Sequence, residues 1–146
     1  MNQQISSSAY LFRYGPFMNQ KNILLNHEEG GLLIGRCSSV SLPSQYVSRN
    51  HIKIWWSEGK WFITDLNSFN GTFIYQNESE VRLNPNEIVE IFDGAIIGFG
   101  FYPSVWCKHE NNINNPEYFV YQLQNSRSLE INELCDAFAM QVRLES

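Results

Sequence analysis

Short, regularly spaced turn signals are the feature of this sequence that most constrains its fold. Clusters of Gly, Pro, Asn and Asp recur along the chain, and the residues between them are rich in aromatic and β-branched side chains, which is typical of β-strands. The predicted strands are Ala9–Arg13, Asn22–Leu25, Gly31–Arg36, Ser39–Leu42, His51–Trp56, Lys60–Asp65, Thr72–Tyr75, Glu80–Leu83, Glu87–Ile91, Ala95–Phe101 and Tyr118–Gln122. Because no helical stretch separates them, we predict an all-β, antiparallel sandwich or barrel of about ten or eleven strands.

The composition fits one globular domain. The chain has 146 residues, of which 43% are hydrophobic and 17% are charged, as expected for a chain that buries a core. No apolar run approaches the roughly 20 residues of a membrane-spanning helix. Residues 1–8, which we expect to form a flexible tail, show no secretory signal. We therefore expect no membrane insertion and a cytoplasmic location, or a nuclear one in a eukaryote.

The distribution of charge indicates a small anion as the ligand. The net charge of −5 argues against nucleic-acid binding, which needs a basic face. Residues 31–57 contain no Asp or Glu but include Arg36, Arg49 and Lys53, whereas residues 78–146 hold eleven acidic and four basic side chains. A small cationic region on an acidic body suits one compact anion better than a polyanion.

The last part of the chain has a different pattern. After Leu129 the apolar residues recur at steps of three and four, at Ile131, Leu134, Cys135, Phe138 and Val142. This spacing predicts an amphipathic α-helix within residues 125–146, preceded by an exposed loop over Lys108–Asn115. One interpretation is that the helix docks on the sandwich. The other is that it leads to a further domain or mediates self-association.

The three cysteines, Cys37, Cys107 and Cys135, are an odd number at wide spacings and include no Cys-x-x-Cys pair. The three histidines are equally scattered, so the chain lacks the ligand spacings of a metal site. We therefore expect free thiols in a reducing compartment, no bound metal and no cofactor.

Three polar clusters stand at predicted strand ends. Leu33–Arg36 ends one apolar strand in Gly-Arg, Val47–His51 precedes the next, and Asp65–Thr72 forms the turn after a third. Any one of these patterns is common, but all three at strand ends would form one group of loops. Such loops can hold an extended peptide and fix an anion beside it.

The side chains in these clusters suit a phosphate group. The planar guanidinium groups of Arg36 and Arg49 can hold a phosphate bidentately. Ser48 adds a hydroxyl and a backbone N–H, and the amide of Asn70 can donate and accept hydrogen bonds at once. The residue types therefore predict a phosphate contact next to a main-chain contact.

In this order, the clusters resemble the motifs of the forkhead-associated (FHA) family, a family of phosphothreonine-binding β-sandwiches with an FHA/SMAD-like fold. The matching patterns are Gly-Arg at 35–36, Ser-Arg-x-His at 48–51 and Ser-x-Asn-Gly-Thr at 68–72. Ser48 follows Gly35 by 13 residues and precedes Ser68 by 20. We place the β-sandwich at residues 9–124, and the resemblance leaves the C-terminal helix unexplained.

The resemblance implies a phosphothreonine-containing protein or peptide as the partner and assigns binding roles to four residues. Arg36 and Ser48 would contact the phosphate, and Arg49 would lie close to the phosphate or to the peptide backbone. Asn70 would bond the peptide main chain beside the phosphothreonine. Tyr46 is our candidate for a side-chain contact that contributes to specificity.

The resemblance also implies supporting roles. His51 would tie its own loop to the Asn-Gly-Thr turn, which ends in Thr72. Gly35 and Gly71 would allow backbone turns that a Cβ atom would crowd. Phe69 departs from the family pattern, because many members have a small polar residue there that helps to hold the phosphate. We therefore expect Phe69 to affect affinity or specificity.

Two other functions stay open at this point. The chain could be a scaffold with the same fold that assembles without phosphate, and Phe69 is the residue that favours this alternative. An enzyme is disfavoured, because the sequence has no Gly-rich phosphate loop that opens a helix and no set of catalytic residues in a suitable context.

Overall fold

The structure is a computed structural model that describes residues 9–16, 22–25 and 30–124, together with Cys135 and Phe138. Sheet A contains, in spatial order, β2 (Ile23–Leu25), β1 (Ala9–Arg13), β11 (Val120–Gln124), β10 (Ile96–Phe99), β7 (Thr72–Gln76) and β8 (Ser79–Arg82). Sheet B contains β4 (Val40–Ser41), β3 (Leu32–Gly35), β5 (Ile52–Ser57), β6 (Lys60–Asp65) and β9 (Val89–Ile91). Paired strands run antiparallel except β3 and β4, which are parallel. The predicted all-β sandwich is confirmed.

The main core lies between the two sheets. In sheet B, the inward side chains of Ile52, Ile54, Trp61 and Ile63 are at most 2% exposed, and Ile54 pairs with Ile63 across the two strands. Burial of each such side chain contributes roughly 1.5–3 kcal/mol. A one-residue slip would turn all of them outward, so the core fixes the register of β5 and β6 and thereby the positions of their ends.

Strand ends were predicted less well than strand centres. β1 and β6 have the predicted bounds, whereas β10 ends at Phe99 and not at Phe101. The reason is Gly100, whose φ of 96° lies outside the β region. Gly100 donates its N–H to the Gly71 carbonyl at 2.9 Å, so the chain turns there towards the loop that precedes β7.

Two short helices lie between β10 and β11, α1 (Pro103–Cys107) and α2 (Glu110–Ile113). The predictions of no helix between the strands and of a loop over Lys108–Asn115 are therefore wrong. Pro103 begins α1 with its favoured backbone angle, but elements this short show no helical periodicity. In the described part of the chain, no helix has the length and apolar character needed to cross a membrane.

A second hydrophobic cluster covers the outer face of sheet A. It consists of the buried residues Tyr14, Ile96, Trp106, Cys107, Val120 and Phe138. The alternation of side chains along β10 and β11 places Ile96 and Val120 on this face and their neighbours Ile97 and Tyr121 in the main core. Sheet A is thus packed on both faces.

The expectation of free thiols is wrong for two of the three cysteines. Cys107 and Cys135 form a disulfide with a Cα–Cα distance of 5.8 Å, and Cys37 is free and exposed. No local sequence pattern indicates this pairing, because the two cysteines are 28 residues apart. Cys135 and Phe138 are helical, and the Phe138 ring packs on Tyr75 at 4.7 Å. The remainder of the predicted helix and the predicted N-terminal tail lie outside the described residues.

Candidate functional site

Main-chain hydrogen bonds join the first two of the three predicted clusters. Arg36 donates its N–H to the Ser48 carbonyl at 2.8 Å, and Cys37 donates to the Arg49 carbonyl at 3.0 Å. The loop after β3 and the loop before β5 are therefore held side by side. The register of β3 with β5, in which Ile34 lies opposite Ile52, sets this alignment.

Gly35 is required by the close approach of these loops. A Cβ atom on Gly35 would lie 2.4 Å from the Arg49 carbonyl oxygen and 2.8 Å from the His51 nitrogen. Both are main-chain atoms, so the loops would have to separate to admit a side chain. Glycine allows the close contact through its size, not through an unusual φ.

His51 connects the second cluster to the third from inside the protein. Its side chain is fully buried, its Nδ1 accepts the N–H of Ser48 at 3.0 Å, and its Nε2 lies 2.9 Å from the Gly71 carbonyl. Since Nδ1 accepts, the ring proton is on Nε2, which donates to Gly71. Burial lowers the pKa of His51, with opposing effects from the bond to Gly71 and from the Asp65 charge. The neutral ring therefore links the two loops through hydrogen bonds to their main chains.

A buried carboxylate organises the third cluster. Asp65, at the end of β6, is 1% exposed and accepts hydrogen bonds from the Ser68 hydroxyl, the Ser68 N–H at 3.0 Å and the Thr72 hydroxyl at 2.6 Å. The Ser68 hydroxyl in turn accepts the N–H of Gly71 at 3.0 Å. Asp65 was predicted to begin this turn, but no role was predicted for its carboxylate, although an Asp three residues before a Ser is a known signal for a side-chain-stabilised turn.

The two arginines of the site project outward. Arg36 is exposed, and its Nε donates to the Val47 carbonyl at 3.1 Å, which fixes the base of the guanidinium group. Arg49 is also exposed. Within the described residues, neither the two Nη groups of Arg36 nor the guanidinium group of Arg49 has a hydrogen-bond or ion-pair partner. Both cations are available to an anion from solution.

Ser48 and Phe69 lie next to each other in the motif loops. The Ser48 hydroxyl accepts the N–H of Phe69 at 2.9 Å, so its own hydrogen points elsewhere and can be donated to a ligand. The Phe69 ring is 88% exposed. An aromatic ring at this level of exposure, next to the serine, is available for contact with a bound chain.

Asn70 and Tyr46 form a second pair of contacting residues in these loops. The Asn70 amide donates to the Tyr46 carbonyl at 3.1 Å, which orients the side chain and leaves its oxygen and one N–H unused. The Tyr46 ring packs on Tyr118 at 4.9 Å, and a hydrogen bond with Tyr46 raises the pKa of Tyr118. The structure thus brings all four predicted binding residues and both predicted specificity residues to one surface.

Backbone conformation and limited space both favour glycine at position 71. Its φ is 91°, and a Cβ atom would lie 2.6 Å from the Nε of Arg82. Sequence analysis missed Arg82, whose guanidinium group covers Gly71 and also lies over the Phe73 ring at 5.5 Å. Nothing in the sequence around Arg82 relates this β8 residue to the motif turn.

A cavity of about 530 Å³ opens beside Arg36 and is also lined by Pro43, Ser44, Gln45 and Glu117. Glu117 was not predicted to take part in the site, because it follows β10 and lies far from the motifs in sequence. The segment between α2 and β11 places Glu117 beside the site.

Residues 32–100 match the family model of the FHA domain. This range contains all three motif clusters together with both arginines. Residues 32–100 are therefore similar to the FHA domain, and the resemblance that the motifs predicted is confirmed over this range.

Two curated plant proteins are similar in sequence to part of the chain. An FHA domain-containing protein of Arabidopsis thaliana is 33% identical over 72 residues, which cover 49% of this chain and 18% of that protein. The chloroplastic zeaxanthin epoxidase of Spinacia oleracea is 40% identical over 63 residues, which cover 42% of this chain and 9% of that protein. The chain spans less than a fifth of the length of either relative.

Solved FHA structures share the fold. The FHA domain of an Arabidopsis thaliana hypothetical protein has a TM-score of 0.59 at 20% identity, covering 89% of this chain and 95% of that one. The MEK1 FHA domain in complex with a phosphothreonine peptide of HOP1 has a TM-score of 0.55 at 14% identity, covering 84% and 100%. A third, from a study of phosphothreonine-dependent FHA domain interactions, has a TM-score of 0.54 at 23% identity, covering 82% and 98%.

Proposed function

We propose that this chain binds a phosphothreonine-containing segment of a partner protein and releases it unchanged. One observation carries the proposal: Arg36, Ser48 and Asn70 lie on three loops that are tied together, and each side chain keeps unused hydrogen-bonding capacity. A phosphothreonine carries about −1.5 to −2 charges and three strong acceptor oxygens. A preorganised set of unused donors with two free arginines fits such a group.

Each residue has a distinct part in the proposed complex. The Nη groups of Arg36 and the hydroxyl of Ser48 bind phosphate oxygens, while Arg49 adds a second cation beside the phosphate or the peptide backbone. The amide of Asn70 donates to and accepts from the peptide main chain. Tyr46 and Phe69 lie next to these residues in the motif loops, contact neighbouring peptide side chains and so contribute to sequence preference.

The affinity follows from these contacts. A hydrogen bond to a charged group contributes on the order of 1.5–3 kcal/mol net. Three or four of them, less the entropy lost when the peptide becomes ordered, give a dissociation constant of roughly 1–100 μM. The bracing of the site by His51 and Asp65 reduces the cost of ordering the loops.

The same geometry supports binding and not catalysis. His51 is the histidine that lies between the motif loops, and both of its ring nitrogens bond to the main chain. It therefore cannot exchange a proton with a ligand without breaking the site. The binding module that we propose is residues 9–124, with the helix in residues 125–146 as an addition to it.

The test is fluorescence-anisotropy binding to an oriented library of phosphothreonine peptides, with phosphoserine and unphosphorylated versions alongside. Arg36→Ala should cost about 2–5 kcal/mol of binding free energy, because it leaves phosphate charge unpaired. Lys60→Ala is the matched control: it also removes one cation, but at the far end of β6, about 17 Å from the motif turn at ~3.4 Å per residue. Equal binding of phosphorylated and unphosphorylated peptides, or wild-type affinity in Arg36→Ala, would refute the proposal.

The exposed ring of Phe69 supports one alternative, a scaffold that assembles without phosphate. An apolar group that is 88% exposed in the motif loops could anchor an unmodified partner. The same peptide assay separates the two functions, because a scaffold would ignore both the phosphate and the Arg36→Ala substitution, whereas Phe69→Ser would weaken it.

A further inference from the structure

Glu117 adds a negative charge to a site that is otherwise positive. It lies between α2 and β11, outside residues 32–100 that match the family model. Its side chain shares the cavity of about 530 Å³ with Arg36 and Gln45. A carboxylate beside a phosphate site opposes phosphate binding, so its presence calls for a ligand that benefits from it.

The carboxylate is held in place by specific contacts. Its two oxygens accept the Gln45 N–H at 3.2 Å and the Gln45 side-chain amide at 3.3 Å, and the N–H of Glu117 donates to Asn115 at 2.9 Å. The guanidinium group of Arg13 donates to the carbonyl of Pro116 at 2.8 Å. The flanking chain is thus anchored on sheet A, and the carboxylate has a fixed position at the cavity wall.

Its bonding capacity is only partly used. A carboxylate offers about four acceptor sites, and Gln45 occupies two of those of Glu117. Among the described residues, no lysine or arginine lies within ion-pair distance of Glu117. A cation brought by the ligand would find a half-buried, preoriented partner.

We propose that Glu117 makes this domain select peptides with a lysine or arginine close to the phosphothreonine. The inference rests on the proposed function, since the phosphate on Arg36 places the peptide over the cavity. Arg36 and Glu117 line the same surface depression, and an extended chain advances ~3.3 Å per residue, so about three residues span roughly 10 Å. The favourable ligand therefore has a negative phosphate and a positive side chain within about three residues of each other.

The experiment uses a set of phosphothreonine peptides that differ at a single position, within about three residues of the phosphothreonine on either side. That position is Lys, Gln or Glu, and fluorescence anisotropy measures the Kd of each peptide. The wild-type protein should prefer Lys to Gln about three- to tenfold at one position on one side, less at high salt. Glu117→Gln should abolish this preference and bind the Gln peptide at least as tightly as the wild-type protein does, because a charge that repels the phosphate is removed. Glu117→Lys should prefer the Glu peptide. Glu58→Gln, in the exposed β5–β6 turn, is the control and should keep the wild-type preference.

The outcomes are distinguishable. Phosphate-dependent binding without any preference for Lys, or with a preference that survives Glu117→Gln and Glu117→Lys, overturns the role of Glu117 and leaves the proposed function standing. If protein with wild-type thermal stability binds none of the peptides in a phosphate-dependent way, both the proposed function and this inference are overturned. A Lys preference that reverses in Glu117→Lys supports both, because a merely structural glutamate would not reverse it.

Discussion

Replacement of His51 tests whether the three loops depend on one buried ring. His51→Ala removes the acceptor of the Ser48 N–H and the donor to the Gly71 carbonyl, and each main-chain group left unsatisfied costs about 1–2 kcal/mol. Loss of the edge-to-face contact with Phe99, at 5.2 Å, adds about 1 kcal/mol. We expect the free energy of unfolding to fall by about 3–5 kcal/mol.

The ring also predicts a pH dependence of stability. Burial holds the pKa of His51 below its ordinary value of about 6.5, so on acidification the unfolded chain takes up this proton first. The unfolded state then binds more protons than the folded state, and stability falls as the pH drops below about 6.5. At pH 5.5 the loss from this group is at most about 1.4 kcal/mol.

Urea unfolding followed by tryptophan fluorescence at pH 7.5 and pH 5.5 measures both effects. His51→Gln is the matched variant, because its amide can donate to Gly71 but does not titrate, so it should be intermediate in stability and lose this part of the pH dependence. Comparison of the two proteins also cancels the contributions of the other histidines. A loss below about 1 kcal/mol in His51→Ala, or an unchanged pH dependence in His51→Gln, would refute the described role of the ring.

Two further substitutions test other features of the fold. Gly35→Ala should lower the free energy of unfolding by about 1–3 kcal/mol and weaken phosphopeptide binding, because its Cβ atom would collide with the Arg49 carbonyl. Differential scanning calorimetry measures the first effect and fluorescence anisotropy the second. Wild-type values in both assays would contradict the close packing of the loops. Cys107→Ser should cost about 3–4 kcal/mol, as expected when the disulfide that closes a 28-residue separation is lost, and dithiothreitol should lower the melting temperature of the wild-type protein but not that of the variant.

The binding loops were predictable from the sequence because their chemistry is local. Gly35-Arg36, Ser48–His51 and Ser68–Thr72 combine strand ends with residues that only a turn or a ligand would favour. The β-sandwich was predictable for a related reason, since alternation of apolar residues, as in Ile52 and Ile54, is itself a signal of a strand with one buried face. Both signals are contained within a few neighbouring residues.

The features that were missed depend on contacts between distant parts of the chain. The Cys107–Cys135 disulfide and the position of Glu117 beside Gln45 are set by how the segment between β10 and β11 folds back over sheet A. The α1 and α2 helices are too short for a periodic pattern. Asp65 is the exception, because its spacing from Ser68 is a local turn signal whose structural role was not predicted.

The pairing of β1 with β11 has a consequence for how the domain can be joined to other proteins. Tyr10 lies opposite Gln124, whereas the start of β11, at Val120, lies opposite Gly98 near the motif loops. The chain therefore enters and leaves the sandwich at neighbouring points on the end away from the loops. A domain with this arrangement can be fused to a larger polypeptide before β1 without steric obstruction of its ligand. For the same reason, a fluorophore or affinity tag placed before β1 should leave peptide binding undisturbed, whereas the segment after β11 has to stay intact because Cys135 and Phe138 pack on sheet A.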